Sequence, residues 1–498
     1  MNAPTLITSE SDTAARDHAE YSWAPIAAGV LAAVYLVASI LIARHRLFWF
    51  EELLTVIYSV KPTFAGMWSA FALGTEGLPP AGDFIVRLFA HLPPPLEVAA
   101  RLPSALAMAA GLLVTFDCAR RLTDGLHGLV AVAFLTCSIL PYYGYEARPY
   151  ALFFLISATA LWLWMNTDDH SNAAALIVGG VFFAATWVHY YTLLWLAPYT
   201  LWEFLQRDTR RVPSRKLIAA YVGVFGALAT LIKPILAQYR ALGHGFWSPA
   251  SMRNLASVFA DLFPHVLFPL VALIAVAALW ANRQSRTTVA PMQPYEQLCW
   301  LFALLPLVGF VLGKLATHAF LSRYFIGLLP AFAIGLACLM WRHVLDARVA
   351  LAAVVLFAGW GLGNELEHVH YAAAVRPVPA TAELERMDDM LALEADLPAD
   401  RFIVLRPGDL LTLETHYYAR HPERVVFLLR PGESTPAPQA PRSTGEGRPI
   451  QRWTLDELRA HQQAMLVDPA AETVDALRRA GRTLTDHYDG VLDVITLQ

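Results

Sequence analysis

The sequence predicts an α-helical polytopic membrane protein with about eleven transmembrane helices and a small C-terminal α/β domain. Its 498 residues are 56% hydrophobic and 16% charged, whereas soluble domains are about 25% charged. Apolar runs long enough to cross the bilayer recur up to residue 365, and the composition then becomes that of a soluble domain. The net charge of −4 provides no positive field for nucleic acid, which we therefore exclude as a partner.

Eleven apolar runs are candidates for spans of roughly 30 Å of hydrocarbon. They are residues 24–43, 102–118, 125–141, 149–165, 174–189, 191–205, 217–235, 264–281, 297–313, 324–341 and 349–363. The block 174–205 is too long for one helix, and Pro198 and the His-Tyr-Tyr cluster at 189–191 predict a break near residue 190. The short amphipathic segment 83–92 is expected to lie on the membrane surface.

The distribution of lysine and arginine predicts the orientation. If residues 1–23 form a cytoplasmic tail, the inner loops carry 11 Lys and Arg in 46 residues and the outer loops carry 10 in 103. The transmembrane domain is then residues 24–365, and its first outer loop is residues 44–101. With eleven spans, the C-terminal domain at 366–498 lies outside the cytoplasm, and the expected location is the cell inner membrane.

The C-terminal domain is predicted to alternate strands with helices, which favours a small sheet that is mostly parallel. Strands are expected at 401–405, 424–429, 464–468 and 491–497, and helices at 409–420, 455–463 and 471–480. The second helix has a capping box formed by Thr454 and Glu457. Residues 431–449 are predicted to be a flexible loop.

The first outer loop holds the candidate bases. Glu51 and Glu52 follow the first span, and adjacent carboxylates can provide a general base whose pKa is shifted by its neighbour. The alternative is that both are solvated charges that open a helix. Glu76, which precedes a Pro pair, is a third candidate, and its alternative is an acidic residue in a turn.

Candidates for binding a lipid phosphate follow at other outer positions. Glu146 and Arg148 stand where the fourth span begins at Pro149, and an arginine there can hold phosphate oxygens bidentately. The alternative is a structural Glu–Arg pair. Arg323, before the tenth span, is either a second phosphate contact or an interfacial anchor.

Three further candidates complete the predicted site. His189 and Tyr190 end an outward span, and His244 lies in the outer loop 236–263. A histidine at a membrane interface can equally be structural. All the candidates nevertheless fall on one side of a topology that was assigned from charge counts, and this coincidence favours a site.

Several of these segments together resemble a known family. The segments are WFEE (49–52), EGLPP (76–80), RLPSAL (101–106), ARRL (119–122), GYEARPYAL (144–152), WVHYY (187–191) and SRYFIGLLP (322–330). In this order they are similar to the polyprenyl-phosphate-sugar-dependent glycosyltransferases of the GT-C fold. The nearest group is the bacterial one related to protein O-mannosyltransferases and lipid A aminoarabinose transferases. The resemblance covers about residues 25–365.

The resemblance implies a role for each matching residue. The first acid of the family's Asp-Glu pair, the presumed base, matches Glu51, and the second matches Glu52. The acid before Pro-Pro matches Glu76, the Glu and Arg of the EAR element match Glu146 and Arg148, and the family's His-Tyr pair matches 189–190. The chain departs from the family in having Glu51 in place of Asp, Tyr145 before EAR and Leu78 before Pro-Pro.

The predicted reaction is the transfer of a hexose or pentose from a polyprenyl-phosphate donor to a hydroxyl of a lipid, glycan or protein acceptor. Glu51 would be the base, and Glu52 or Glu76 would orient it or bind metal. Arg148 would hold the leaving phosphate, with Arg323 or His244 as weaker candidates. Attack opposite the leaving group implies inversion. A divalent metal ion is left open, and no other cofactor is indicated.

Two other functions remain open from the sequence. A transporter or flippase for a lipid-linked sugar would share the membrane spans and the arginines, but the spans have few ionisable residues through their middles. A non-catalytic relative would share the whole pattern, and the glutamate at position 51 is its best support.

Overall fold

The protein is described from a computed structural model. The described residues are 21–61, 63–71, 77–93, 95–169, 171–206, 213–242, 248–281, 291–344, 346–373, 390–391, 393, 398, 401–405, 415, 417–429, 451–460, 463–467, 469–488 and 493–497. Two of the predicted site residues, Glu76 and His244, lie outside them, as do the predicted loop 431–449 and most of the predicted helix 409–420.

The described residues up to Ala373 are mostly helical. Helices α1–α18 are, in order, Ala24–His45, Phe50–Ser59, Phe64–Phe71, Ala81–Phe89, Leu96–Leu122, Gly125–Thr136, Leu140–Gly144, Tyr150–Asn166, Asn172–Val188, Thr192–Leu205, Arg215–Thr230, Ile232–Leu242, Met252–Leu262, Leu267–Ala281, Pro294–Leu301, Leu305–Leu312, Leu329–His343 and Ala347–Ala373. Residues Phe302–Leu304 and Ser322–Leu328 form 3₁₀ turns, and Gly313–Thr317 forms a π turn.

The helices confirm a polytopic membrane protein. Within the described residues, five helical segments are long and apolar enough to cross a membrane, or up to seven if each bent pair forms one span. Three shorter apolar helices of 10–17 residues accompany them. The predicted total of about eleven spans therefore stays a prediction, and so does the cytoplasmic position of residues 1–23.

The predicted span 217–235 is bent rather than straight, and a second bend lies at the start of the predicted span 264–281. The chain turns by 60° between α11 and α12 and by 66° between α13 and α14. The run 125–141 also differs from its prediction, because α6 ends at Thr136 and a short helix, α7, follows. The predicted break near residue 190 is present, since α9 ends at Val188 and α10 begins at Thr192.

Small residues allow helices α9 and α11 to pack closely. A Cβ atom at Gly223 would lie 2.2 Å from the carbonyl oxygen of Gly179, so any side chain at residue 223 would force the helices apart. In a membrane, close backbone approach at glycine provides the packing that the hydrophobic effect cannot.

The C-terminal domain contains a six-stranded sheet with the order β3-β2-β1-β4-β6-β5. Its strands β1–β6 are Phe402–Leu405, Val425–Leu428, Gln451–Trp453, Ala464–Val467, Leu484–Tyr488 and Asp493–Leu497. Strands β3, β2, β1 and β4 are parallel, and β6 and β5 complete the sheet in antiparallel pairings. Helices α19 (Leu455–Ala460) and α20 (Ala471–Arg479) lie between strands, and the Thr454–Glu457 capping box is formed.

The C-terminal domain packs against the segment between α1 and α2. Leu47 and Trp49 belong to the same apolar cluster as Met390 and Val425 of that domain. The hydroxyl of Tyr418 accepts a hydrogen bond of 2.7 Å from the amide N–H of Phe48. The domain therefore contacts the chain directly before Glu51.

Candidate active site

A buried ion pair fixes the N-terminus of α2. Glu52 accepts two hydrogen bonds from Arg101 of α5, 2.7 Å to Oε1 from Nε and 2.6 Å to Oε2 from Nη2, and both side chains are fully buried. Arg101 also donates to the carbonyl oxygens of residues 43, 46 and 47. This pair therefore joins the end of α1, the start of α2 and α5.

Glu52 also accepts hydrogen bonds from two backbone amides. It accepts the Trp49 N–H at 3.3 Å, which caps α2, and the Ala147 N–H at 2.7 Å. Burial would raise the pKa of Glu52, but the charge of Arg101, with Arg46 and the Ala147 amide, outweighs burial and holds that pKa below its usual range. A carboxylate bonded in this way is a poor proton acceptor.

Glu51 lies between two arginines. Its carboxylate forms an ion pair with Nη2 of Arg323 and lies 3.6 Å from Nε of Arg148. The side chain of Glu51 is 18% exposed, in contrast to the fully buried Glu52. We call Glu51, Arg148 and Arg323 the ion cluster. It joins α2, the start of α8 and the 3₁₀ turn at 322–328.

Arg148 is held in place by α2. Its Nη1 donates to the carbonyl oxygen of Glu51 at 3.1 Å and to Oγ1 of Thr55 at 3.0 Å. The carbonyl oxygen of Arg148 accepts from the hydroxyl of Ser104 on α5 at 3.0 Å. As predicted, the helix begins at Pro149, which is the N-cap of α8. The guanidinium is thus fixed beside Glu51.

A second ion pair joins Arg46 and Glu146, whose nearest charged atoms are 3.3 Å apart and which are almost completely buried. Arg46 also donates to the hydroxyl of Tyr142 at 3.2 Å. Burial raises the pKa of Glu146 to about 7, since the charge of Arg46 offsets burial only in part and Glu52 and Glu51 add to the rise.

His189 is a buried neutral donor near the ion cluster. Its Nδ1 accepts the Tyr191 N–H at 3.2 Å, which assigns the proton to Nε2. Burial, reinforced by the charges of Arg148 and Arg323, lowers the pKa of His189 to about 3. Its ring stacks on Phe153, with 4.6 Å between the ring centroids. Tyr190 is half-buried next to it.

An aromatic wall adjoins the ion cluster. The guanidinium carbon of Arg323 is 5.6 Å from the ring centroid of Tyr150. The rings of Tyr150 and Tyr324 lie 5.9 and 5.1 Å from that of His189. These rings exclude water from one side of the charges, which strengthens electrostatic interactions there.

The structure brings together Glu51, Glu52, Arg148 and Arg323, with Glu146 and His189 close by. No role was predicted from the sequence for Arg46, Arg101 and Tyr150. The signal for Arg101 was its place in RLPSAL, and that for Tyr150 was its place in GYEARPYAL. Among the described residues, no group of three or more His, Cys, Asp or Glu side chains could hold a metal ion.

Part of the chain matches a known protein family. Residues 78–237, less than half of the chain, match the family model described as dolichyl-phosphate-mannose-protein mannosyltransferase. This segment includes Glu146, Arg148, His189 and Tyr190. Among curated proteins, none matches the sequence significantly.

Solved structures resemble most of the chain. ArnT from Cupriavidus metallidurans in the apo state is 15% identical with a TM-score of 0.60. The same protein bound to undecaprenyl phosphate is 14% identical with a TM-score of 0.58. Each alignment covers 94% of this chain and 97% of the other. At this level of identity the likeness establishes a common fold.

The family match and the common fold confirm the resemblance that the motifs predict. The chain has the fold of a polyprenyl-phosphate-sugar-dependent glycosyltransferase of the GT-C type, with a small C-terminal domain that contains strands. It is a multi-pass membrane protein. These findings support a membrane glycosyltransferase and do not favour a transporter.

Proposed function

We propose that the protein transfers a sugar from a polyprenyl-phosphate donor to an acceptor hydroxyl, with inversion, at the extracytoplasmic face of the cell membrane. The family match and the fold support the reaction class. The observation that carries the residue assignment is the ion cluster, in which one carboxylate that is partly exposed lies between two arginines.

The charges of the ion cluster suit this reaction. Two arginines and Glu51 leave one positive charge, because the neighbouring carboxylates of Glu52 and Glu146 are each paired with another arginine. A phosphodiester donor with one negative charge would neutralise the cluster. The phosphate would also compete with the Glu51 carboxylate for Arg148 and Arg323, since phosphate oxygens match the guanidinium fork.

During transfer, the net charge of the ion cluster and its bound ligand stays close to zero. The acceptor oxygen forms a bond to the anomeric carbon while the bond from that carbon to the phosphate oxygen breaks. Glu51 takes the proton of the acceptor hydroxyl and becomes neutral, and the released lipid phosphate carries about −1.5 to −2. The two arginines therefore face nearly their full countercharge at the end of the reaction, so the leaving group is stabilised as its charge develops.

The other candidates would support this centre. Neutral His189 would donate its Nε2–H to a phosphate or sugar oxygen, and Tyr190 would line the site. Glu52 would act as a positioning residue, because its hydrogen bonds to Arg101 and Ala147 fix α2. Glu76 and His244, outside the described residues, keep their predicted roles in substrate binding, and a divalent metal ion stays open.

The test is a transfer assay with the purified protein in vesicles, using labelled polyprenyl-phosphate hexoses and pentoses with membrane lipids as acceptors. Glu51→Gln keeps the shape of the side chain but cannot accept a proton near neutral pH. It should lower the transfer rate by about 10²–10⁴-fold. Glu423→Gln, a substitution of an exposed carboxylate in the C-terminal domain, is the matched control.

Arg148→Lys separates the two proposed roles. Lysine keeps the charge but lacks the planar fork, so both donor binding and turnover should weaken. A transporter would move the lipid-linked sugar without any base at residue 51. Near-normal transfer by Glu51→Gln would contradict the base assignment, and movement of the donor without transfer by the wild type would contradict the proposed function.

A further inference from the structure

A cavity lies beside the Arg46–Glu146 pair. Its volume of about 360 Å³ is within the range of pockets for small ligands. It forms where α1 ends, after α6, at the bend between α13 and α14, and along the last turns of α18. The side chains that matter here are Arg46, Tyr142, Tyr145, Asn364, Glu365 and His368.

The cavity has a buried floor and an exposed rim. Arg46, Tyr145 and Glu365 are between 1% and 4% exposed. At the rim, Pro264 is exposed and the side chain of His368 is 37% exposed. The cavity therefore extends from the surface towards charged groups that are almost completely buried.

Several buried polar atoms of the cavity lack hydrogen-bond partners within the described residues. They are Nε and Nη1 of Arg46, Nδ2 of Asn364 and Oε1 of Glu365. Buried polar groups are nearly always bonded, because leaving one unsatisfied costs free energy. The residues that line the cavity thus hold three donor atoms and one carboxylate oxygen that have no partner among the described residues.

The balance of charge favours a neutral ligand. Glu146, 3.3 Å from Arg46 and with a pKa of about 7, balances the charge of Arg46 in part at neutral pH. Glu365 adds a second carboxylate, whose Oε2 is 3.9 Å from Nδ1 of His368. A phosphate would face Glu365, and an amine would face Arg46. A polyhydroxyl ligand can accept from Arg46 and Asn364 and donate to Glu365 at once.

Aromatic rings provide the apolar side of the cavity. The guanidinium of Arg46 lies 5.0 Å from the ring centroid of Tyr142 and 5.4 Å from that of Tyr145. A few convergent polar groups next to aromatic rings are typical of sites for small polar ligands. A sugar ring, with hydroxyls at its edge and C–H groups on its face, has the matching pattern.

We propose that this cavity binds a neutral sugar ring that belongs to the acceptor. The assignment to the acceptor rests on the proposed function. The transferred sugar is bonded to the donor phosphate and must stay within reach of Glu51 and Arg148. Neither Glu51 nor Arg148 lines this cavity, so a ring bound there is one that the acceptor already carries, and the acceptor is a glycan or a glycolipid.

Binding is tested by saturation-transfer NMR with methyl α-D-mannopyranoside, glucopyranoside and galactopyranoside. The protein is held in a zwitterionic detergent that contains no sugar. At least one glycoside should receive saturation, and Asn364→Leu should bind it about three- to tenfold more weakly, as for one lost hydrogen bond. Asn166→Leu, an exposed amide at the end of α8, should bind like the wild type.

Glu365→Gln is a second variant in case Asn364→Leu folds poorly. It keeps the side-chain volume and should weaken binding to a similar extent. The proposal would be overturned if no glycoside received saturation from the wild type. It would also be overturned if Asn364→Leu and Glu365→Gln both bound the glycoside as tightly as the wild type. Displacement of the glycoside by inorganic phosphate would also overturn it, since the cavity would then be an anion site.

The transfer assay distinguishes the source of the ring. The bound glycoside should inhibit transfer competitively with the acceptor and not with the donor, and Asn364→Leu should raise KM for the acceptor alone. Competition with the donor would instead contradict the assignment to the acceptor. NMR detects binding without any transfer, so failure of the proposed function and failure of this site give different results.

Discussion

Glu51 and Glu52 are adjacent in sequence, but their environments differ. Successive residues on a helix point about 100° apart, so Glu52 faces Arg101 and the Ala147 amide while Glu51 faces the partly exposed ion cluster. Glu52, whose two carboxylate oxygens are both hydrogen-bonded, fixes the structure. Glu51 lies between two arginines that a phosphate can also bind, so its carboxylate can exchange partners. The sequence predicted an acidic pair, and only the fold distinguishes the two environments.

His189 provides a prediction about pH at the residue scale. Its folded-state pKa of about 3 lies below the ordinary value of 6.5. Between pH 6.5 and 3, His189 is therefore protonated in the unfolded chain but neutral in the folded protein. Its contribution to stability is fully present above pH 6.5 and falls as the pH drops towards 3. The loss is about 1.4 kcal/mol per unit of pH in that window.

The check is the melting temperature of the detergent-solubilised protein between pH 7 and 5. We expect it to fall more steeply for the wild type than for His189→Gln. His421→Gln, a change at an exposed histidine, should keep the wild-type slope. Equal slopes for the wild type and His189→Gln would show that His189 is charged in the fold.

At the scale of elements, the N-terminus of α2 depends on the Glu52–Arg101 pair. Glu52→Ala would leave Arg101 buried without its countercharge, and such a change costs about 3–5 kcal/mol. The melting temperature should fall clearly, whereas Glu472→Ala on the exposed face of α20 should leave it nearly unchanged. If Glu52→Ala melted like the wild type, the pair would not hold α2.

The same elements show how far the sequence could predict the site. The start of α8 at Pro149 and the break near residue 190 were predictable, because proline and a polar cluster interrupt apolar runs. The bend of 60° within the run 217–235 was not, since an apolar run has the same composition whether it is straight or bent. Arg46 and Arg101 were missed because their partners are 100 and 49 residues away.

At the scale of the whole molecule, the C-terminal domain is coupled to the site. Tyr418 bonds the Phe48 amide, three residues before Glu51, and the ring of Tyr417 packs edge-on against Phe48. Four of the six strands of this domain were predicted. Strands β3 and β5 were missed, because QRW is very short and LTDHY is largely polar.

Tyr418→Phe tests this coupling. Loss of one buried hydrogen bond is worth about 1 kcal/mol, so the turnover of transfer should fall about fivefold if α2 shifts. Affinity for the donor should stay the same, because the arginines are unchanged. Tyr239→Phe, a change at an exposed tyrosine of α12, is the control. Unchanged turnover of Tyr418→Phe would limit the contact to a structural role.

The central claim is that a lipid phosphate takes the place of Glu51 between Arg148 and Arg323. The affinity of the purified protein for undecaprenyl phosphate measures it directly. Glu51→Gln removes a competing carboxylate, so it should bind the lipid several-fold more tightly than the wild type. Arg323→Gln should bind it at least about tenfold more weakly, as for a lost charged hydrogen bond. Weaker binding by Glu51→Gln, or unchanged binding by Arg323→Gln, would contradict the account.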